Sequence, residues 1–271
     1  MTDRMGAGVS RVAWVTGASR GIGKGIARAL GAAGWTVYVT ARSTSRAATP
    51  EAGTVQATAG EVQTAGGQGI AVVCDHGDDA AVAATAERIT AEQGRLDLLV
   101  NNVWAGYERL NAGAWEEWNA PLWEQPLELF DAMFTHGVRA HYVATALCAP
   151  LLMMTPGSLV VTVSFAVPED EQHAFGAAYG MAKAADDRLA VAAAAQLRPH
   201  GVTSVAIHPG LVRTEGVMRF AEHLDLSASQ SPEGVGRAVV ALTADSERRA
   251  LTGQTLGVAA LADRYGVDVH S

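Results

Sequence analysis

The sequence predicts an α/β fold with a doubly wound parallel sheet of about seven strands and helices on both faces. Three observations indicate it. Short apolar runs alternate with longer helical patterns along all 271 residues, the runs are almost continuous in Val, Leu and Ile, and 49% of the residues are hydrophobic. Strands that are buried on both faces of a parallel sheet have such runs. In this architecture ligands bind at the carboxyl ends of the strands.

The elements follow in a regular order. The predicted strands are Val12–Thr16, Thr36–Thr40, Gly69–Cys74, Leu96–Asn101, Leu159–Ser164, Val202–His208 and Gln254–Val258. The predicted helices are Ile22–Ala33, Gly60–Ala65, Ala80–Glu92, Leu127–Leu147, Ala177–Leu197 and Pro232–Ala244. Ser231 before the last helix is a good N-cap, and proline suits the first helical position. No linker or repeat interrupts this order, so residues 1–271 are predicted to form a single domain.

The bulk composition excludes several classes of partner. A net charge of −8 argues against nucleic acid, which needs a basic surface. The apolar runs are far shorter than the roughly 20 residues of a membrane helix, and no signal peptide is expected at the start. Cys74 and Cys148 lack the spacing of a metal or redox site. These features predict a cytoplasmic protein with buried thiols and no metal.

A glycine-rich turn follows the first strand and leads into the first helix. Its glycines, at positions 17, 21 and 23, allow a sharp turn and a close approach to a pyrophosphate. The helix N-terminus adds free N–H groups and a partial positive charge. The context of strand, turn and helix predicts nucleotide binding rather than a purely structural turn. The expected contact residues are Gly17, Ser19, Arg20, Gly21, Ile22 and Gly23.

The spacing Gly-x3-Gly-x-Gly resembles the short-chain dehydrogenase/reductase family, whose members have a Rossmann-type fold. Three further matches extend the resemblance over nearly the whole chain. Asp75 stands where the family binds the adenine ring, and Asn101 begins a motif that flanks the cofactor. Pro209-Gly210, with Thr214 four residues on, resembles the turn that meets the nicotinamide carboxamide. The resemblance therefore implies a nicotinamide cofactor.

Tyr179 and Lys183 lie four residues apart in an alanine-rich helix, so their side chains share one face. A tyrosine hydroxyl ordinarily has a pKa of about 10 and is a poor base at neutral pH. A neighbouring ammonium favours the phenolate and lowers that pKa. Such a pair on its own is often structural; after this glycine turn, it predicts proton exchange with an alcohol or ketone. Lys183 is also expected to bind the nicotinamide ribose, as the resemblance implies.

Ser164 ends the fifth strand and is predicted to hold the substrate oxygen, as the family's serine does. It lies 15 residues before Tyr179, a slightly longer separation than is usual. The family's asparagine in the preceding helix is missing, and Gly137 takes its position. Two replacements for its relay role are open: a water held by the Gly137 carbonyl, which we favour, or the imidazole of His136.

The segment Trp104–Pro126 departs from the regular order, because it holds four of the six tryptophans. It follows a strand end, so it is expected near the site. Its aromatic rings either line an apolar substrate pocket or anchor a long loop to the domain or to a neighbouring subunit. The sequence leaves both interpretations open.

The expected function is an NADP(H)-dependent carbonyl reductase or secondary-alcohol dehydrogenase. Members that select NAD carry an acidic residue at the position of Ala41, whereas Arg42 and Arg20 here can bind a 2′-phosphate, with Ser43 as a further donor. NAD(H) remains possible. The alternative is a catalytically weak, cofactor-binding redox sensor or interaction protein, which the missing asparagine suggests. The expected partners are an apolar carbonyl or alcohol substrate and further copies of the chain, in a dimer or tetramer.

Overall fold

Seven parallel strands form one sheet in the order β3-β2-β1-β4-β5-β6-β7. The computed structural model describes residues 10–43, 53–106, 115–167 and 176–271. The strands are β1 (Val12–Thr16), β2 (Thr36–Ala41), β3 (Gln68–Val73), β4 (Leu98–Asn101), β5 (Leu159–Val163), β6 (Thr203–His208) and β7 (Thr255–Gly257). All seven predicted strands and the predicted fold class are confirmed.

The four central strands β1, β2, β4 and β5 are buried along their whole length, as their apolar runs predict. The expectation of full burial is wrong for β3 and β7, which are partly exposed. These two strands form the edges of the sheet, so each has a strand neighbour on one side only. Edge strands therefore keep part of their surface in contact with water.

Helices connect the strands, and a last helix follows β7. They are α1 (Gly21–Ala32), α2 (Val55–Thr64), α3 (Asp79–Gln93), α4 (Trp115–Asn119), α5 (Leu127–Met133), α6 (Ala140–Met154), α7 (Ala177–Leu197), α8 (Pro232–Ala244) and α9 (Val258–Tyr265). The Ser231 hydroxyl accepts from the N–H of Gly234 at 2.8 Å, so the predicted N-cap of α8 is confirmed. The predicted single helix Leu127–Leu147 is wrong in one respect: a π turn at Phe134–Arg139 separates α5 from α6.

Alternate side chains of the strands enter two apolar layers. Ala13 and Val15 face a layer that includes Ile26 of α1 and Leu242 of α8. Trp14 faces the opposite layer, with residues of α3 and α6. The sheet is thus covered by helices on both faces, as a doubly wound sheet requires.

The helical run Leu127–Met154 is the one stretch, among the described residues, that could cross a membrane by length and composition alone. The sequence analysis considered uninterrupted apolar runs and did not single it out. Its α6 part packs against α3 and α7, and it includes Cys148, which is buried and unpaired, as is Cys74. A helix that is apolar on most sides is also typical of a protein core.

The carboxyl ends of the strands define the place of the site. β1 pairs with β2 on one side and with β4 on the other, so successive connections leave in opposite directions from this point. A crevice opens at such a switch point. The glycine turn follows β1, Asn101 ends β4, Ser164 follows β5 and Pro209 follows β6. The predicted site residues therefore lie together at the carboxyl ends of the strands.

Candidate active site

The glycine turn connects β1 directly to α1. Gly17 and Gly21 have φ of +63° and +56°, left-handed conformations that glycine adopts at little cost. A Cβ on Gly17 would lie 2.6 Å from the Cα of Val103, and one on Gly23 would lie 2.8 Å from the Gly17 carbonyl oxygen. The path of the backbone therefore requires these glycines, and it brings the N-terminus of α1 to the carboxyl edge of the sheet.

A carboxylate lies at the N-terminus of α1. The main-chain N–H of Gly21 donates to Oε2 of Glu215 at 2.9 Å, and the Thr214 side chain lies beside the same glycine. Ser19 is buried within the turn and Ile22 is half-buried. A helix N-terminus has unpaired N–H groups and a partial positive charge. Glu215 is therefore the anion that this turn holds in the structure.

Two asparagines follow β4, and they have different roles. The Asn102 side chain donates to the carbonyl oxygens of Thr16 and Gly17, at 2.9 and 3.1 Å. Asn101 is fully buried and donates to the Thr145 hydroxyl at 2.9 Å. The sequence analysis relied on Asn101, but Asn102 is the residue that fastens the glycine turn. Asn101 instead joins the sheet to α6.

The corner beyond β2 holds the residues predicted to select the cofactor. Ala41 is the last, buried residue of β2, and the exposed Arg42 follows it. The Ser43 carbonyl accepts a hydrogen bond from the first residue of α2. Gly53, just before α2, lies against the glycine turn beside the Cβ of Arg20, which is also exposed. Both arginines therefore flank the start of α2.

The remaining predicted cofactor residues lie at the same edge. Oδ1 of Asp75 accepts from the N–H of Gly77 at 2.9 Å and lies 3.9 Å from Nε2 of His136. Nearly half of the Asp75 side chain is exposed. Pro209 and Gly210 follow β6, where Gly210 turns the chain with φ +68°. At these positions the residues can contact a cofactor that lies across the carboxyl ends of the strands.

Tyr179 lies in the first turn of α7, surrounded by aromatic rings. Its ring centroid is 5.7 Å from that of Trp104, 5.6 Å from that of Trp118 and 5.9 Å from that of Phe165. Only 3% of Tyr179 is exposed. Aromatic rings at such distances attract one another and exclude water. The tyrosine therefore stands in an apolar environment.

Ser164 and Lys183 meet beside Tyr179. The Ser164 hydroxyl donates to the main-chain carbonyl of Lys183 at 3.0 Å. Nζ of Lys183 lies 5.9 Å from the centroid of the Tyr179 ring and 3.9 Å from that of Trp104. The structure thus brings together the three residues that the sequence analysis selected for the reaction.

The comparisons with known proteins agree with this geometry. The family model of the short chain dehydrogenases matches residues 11–225. The chain is 40% identical over 271 residues to Dehydrogenase/reductase SDR family member 1 of Mus musculus, which covers 95% of this chain and 82% of that protein. The chain belongs to the short-chain dehydrogenase/reductase family.

Two solved structures are similar to this family member. A putative dehydrogenase from Xanthomonas campestris has a TM-score of 0.82 and 27% identity, over 96% of this chain and 91% of that one. A metagenomic short-chain oxidoreductase in complex with NADP has a TM-score of 0.66 and 29% identity, over 88% and 92%. This short-chain dehydrogenase/reductase is therefore an oxidoreductase that acts on a carbonyl or alcohol group of a small molecule with a nicotinamide cofactor.

The residues at the carboxyl ends of the strands fit a nicotinamide cofactor. The left-handed Gly17 and Gly21, and the absence of a side chain at Gly23, let the turn approach a pyrophosphate closely. The contact of the Glu215 carboxylate with the N–H of Gly21 shows that the helix N-terminus accepts an anion. The glycine turn and the first turn of α1 would thus hold the phosphates.

This short-chain dehydrogenase/reductase departs from the family pattern beside Lys183. A Cβ on Gly137 would lie 2.7 Å from the ring of Trp104, so that ring takes the space of any side chain at position 137. The Gly137 carbonyl accepts from the N–H of Ala140. His136 lies beside Asp75. Neither the Gly137 carbonyl nor His136 therefore has Lys183 as its direct hydrogen-bond partner, and a water held by Gly137 stays a prediction.

A buried ion cluster contacts Lys183 instead. Nζ of Lys183 lies 3.2 Å from Oδ2 of Asp186, and Oδ1 of Asp186 lies 2.8 Å from Nδ1 of His141. The other ring nitrogen of His141 lies 2.9 Å from the Val103 carbonyl oxygen. Burial alone would raise the pKa of the Asp186 carboxyl, but the positive charges of His141 and Lys183 outweigh it and hold that pKa below its usual value.

The sequence analysis missed Asp186, His141 and Glu215, and it relied on Asn101 rather than on Asn102 of the same motif. One signal was available for Asp186: it lies three residues after Lys183 on an alanine-rich helix, so it shares the face of the lysine. No comparable signal existed for His141, which is 45 positions before Asp186 along the chain.

The rings of the tryptophan-rich segment differ in whether they lie at the candidate site. Trp104 and Trp118 contact Tyr179, so these two rings help to form the site. Trp123 is 83% exposed. The Trp115 side chain and residues 107–114 lie outside the described part of the chain, as do residues 168–175 of the loop after Ser164.

Proposed function

We propose that this short-chain dehydrogenase/reductase interconverts an apolar ketone or aldehyde and its alcohol with NADP(H), and that Ser164, Tyr179 and Lys183 carry the reaction. The nicotinamide, when bound, supplies or accepts the hydride. In the reducing direction the Tyr179 hydroxyl gives its proton to the substrate oxygen while the carbonyl carbon gains the hydride. The C=O double bond becomes a single bond, and C–H and O–H bonds form. In the oxidising direction Tyr179 takes the proton back.

The observation that carries this proposal is that Ser164, just beyond β5, contacts the main chain of Lys183, whose ammonium lies near the Tyr179 ring. The hydroxyl of Ser164 can rotate from the Lys183 carbonyl, its partner at 3.0 Å, to a substrate oxygen. The Lys183 ammonium lies beside the Tyr179 ring and favours its phenolate. A unit charge about 6 Å away contributes on the order of 3 kcal/mol at an effective dielectric constant of 20. Such a contribution opposes the cost of forming a phenolate in a buried position.

The preference for NADP(H) is supported by the corner beyond β2. Ala41 presents no carboxylate to a 2′-phosphate, and the exposed Arg42 and Arg20 flank the same segment. A hydrogen bond to a charged group contributes about 1.5–3 kcal/mol, which corresponds to roughly a 10- to 150-fold preference in Kd. Titration of NADP and NAD into the parent protein and into Arg42→Ala tests it. Equal affinities in the parent would contradict the proposal.

The substrate is proposed to be apolar because aromatic rings surround Tyr179. A substrate bound at the Tyr179 hydroxyl would contact these rings. Trp118 is 4% exposed and packs with Leu129 and Met133 into the same cluster. Apolar pockets with a few polar groups are typical of sites for small molecules. A panel of ketones, aldehydes and quinones, followed by oxidation of NADPH, would define the substrate class.

Tyr179→Phe is the control that tests the proposed chemistry. We expect it to bind the cofactor normally and to lose at least ~100-fold in turnover, the scale of a lost general acid or base. Normal turnover in this variant would refute the proposed role of Tyr179.

A second candidate function is a cofactor-binding sensor without appreciable turnover. The 3% exposure of Tyr179 favours it, because a substrate must reach the hydroxyl. The same panel distinguishes the two functions. Cofactor binding without turnover of any substrate would support the sensor, whereas a Tyr179-dependent reaction would support the enzyme.

The protein is further proposed to form a homo-oligomer through α6 and α7. Large apolar side chains are exposed on these two helices: Tyr142, Leu147, Met154 and Met181. Exposed apolar groups on adjacent helices are typical of a contact with another protein. Light scattering of the purified protein would report a dimer or tetramer if this is right, and a monomer if it is wrong.

A further inference from the structure

Lys183, Asp186 and His141 form a buried Lys–Asp–His cluster beneath Tyr179. The exposed fractions of their side chains are 8%, 0% and 1%. The Asp186 carboxylate stands between the lysine ammonium, at 3.2 Å, and the histidine ring, at 2.8 Å. None of these contacts involves position 136 or 137, where the sequence analysis expected the relay.

The hydrogen-bond partners determine the protons on His141. The Val103 carbonyl can only accept, so the ring nitrogen Nε2, 2.9 Å away, must carry a proton. The short contact between Nδ1 and Asp186 also needs one proton. Oδ2 of Asp186 accepts from the Lys183 ammonium at 3.2 Å, a contact that favours the carboxylate, so this proton belongs to Nδ1. His141 is then an imidazolium, with both nitrogens as donors.

The charge of the cluster follows from this assignment. Lys183 and Asp186 alone would sum to zero, and a neutral pair would do little for a phenolate on Tyr179. The imidazolium of His141 restores a net charge of +1. The cluster therefore keeps the electrostatic effect of a single lysine, while the carboxylate holds the ammonium in place.

We propose that His141 and Asp186 are positioning residues that act on Tyr179 through Lys183: Asp186 fixes the ammonium, and the charge of His141 offsets the charge of Asp186. This inference rests on the proposed function, in which the phenolate of Tyr179 takes part. It assigns to the buried ion cluster the task of holding the Lys183 ammonium and keeping its charge effective.

The other titratable groups near His141 leave this account unchanged. Burial first, and the charge of His141 second, lower the pKa of His76 to about 3, so His76 is neutral near pH 7. Burial raises the pKa of the Cys148 thiol on α6, which is also neutral. Arg139 pairs with Asp79 of α3 at the surface. Within the described part of the chain, the charge in contact with His141 is therefore that of Asp186, which in turn holds Lys183.

The first experiment titrates Tyr179 in the cofactor-free full chain by the ultraviolet absorbance of tyrosinate. The spectrum of a matching Tyr179→Phe protein is subtracted at each pH. Tyr38 and Tyr265 do not interfere near neutral pH, because burial, together with bonds to Glu92 and Asp245 respectively, raises the pKa of each to about 12. The midpoint of the difference curve is the quantity compared between variants.

The variants predict shifts of opposite sign. His141→Asn keeps a donor towards Asp186 but makes the cluster neutral, so the Tyr179 midpoint should rise by on the order of one pH unit. Asp186→Asn removes the negative charge, so the midpoint should stay at the parental value or fall. The double variant leaves only the lysine charge and should return the midpoint close to the parental value. A purely structural role predicts instead that the double variant is at least as perturbed as either single one.

His208→Asn is the matched control. Its imidazole pairs with Asp187, the next residue on α7, at 3.0 Å, in a more exposed position. The substitution removes an imidazole that also pairs with an aspartate of α7, although His208 itself ends β6, and it should leave the Tyr179 midpoint in place. An unshifted midpoint in His141→Asn, or no return in the double variant, would overturn the proposal.

A second experiment needs no variant that could fail to fold. Nitrogen NMR of the parent protein near pH 7 should show protons on both ring nitrogens of His141. An unprotonated nitrogen in that ring would overturn the charge assignment. Both experiments use cofactor-free protein, so they are independent of whether a substrate is found. Failure of every substrate would refute the proposed enzyme and leave the cluster measurements standing.

Discussion

Gly137 and Trp104 are predicted to be energetically coupled. A methyl group at position 137 would lie 2.7 Å from two ring carbons of Trp104, well inside van der Waals contact. Forcing an extra carbon into a packed site typically costs about 1–3 kcal/mol. Gly137→Ala should therefore lower the free energy of unfolding by about that amount in the parent protein.

The sign should reverse when the ring is absent. In a Trp104→Ala background the space beside position 137 is open, and alanine is more favourable than glycine in a helical backbone by about 0.5–1 kcal/mol. Gly137→Ala should then be neutral or stabilising, although Trp104→Ala by itself is destabilising. Urea unfolding of the four proteins, followed by far-ultraviolet circular dichroism, gives the coupling free energy. Equal effects of Gly137→Ala in the two backgrounds would refute the reasoning.

Three further predictions follow from the described contacts. Burial keeps the pKa of His76 at about 3 in the folded protein against about 6.5 when unfolded, so the unfolded chain binds the extra proton and the free energy of unfolding should fall below pH 6.5. His76→Asn should reduce that loss by up to about 1.4 kcal/mol per pH unit; an unchanged slope between pH 7 and pH 5 would contradict it. Glu215→Gln removes a negative charge at the N–H of Gly21 and should tighten cofactor binding about 2- to 5-fold by calorimetry, with weaker binding as the contrary result. Lys183→Ala should weaken cofactor binding and turnover together, unlike Tyr179→Phe, and intact binding would show that Lys183 does not serve the ribose.

The elements of the fold could be predicted because each depends on neighbours along the chain. A continuous apolar run such as Leu159–Val163 predicts a strand of the sheet, although not whether that strand lies at the edge, and a glycine with positive φ suits a sharp turn from a strand into a helix. Residues four apart in a helix lie on the same face, so the spacing of Tyr179 and Lys183 places both side chains on one face of α7. These features, with the end of β5 at Ser164, located most of the candidate site.

The contacts around Tyr179 and Lys183 depend on tertiary packing. His141 meets Asp186 only because α6 and α7 cover the same face of the sheet, and the Trp104 ring occupies the space at Gly137 only because the end of β4 passes beside the π turn. Hydrogen bonding and overlap act over a few ångströms in space, whatever the separation along the chain. The sequence by itself therefore determined the sheet, the glycine turn and the Tyr–Lys face. The partner of the lysine was decided by the packing of distant helices, since only packing brings a buried charge to the group that compensates it.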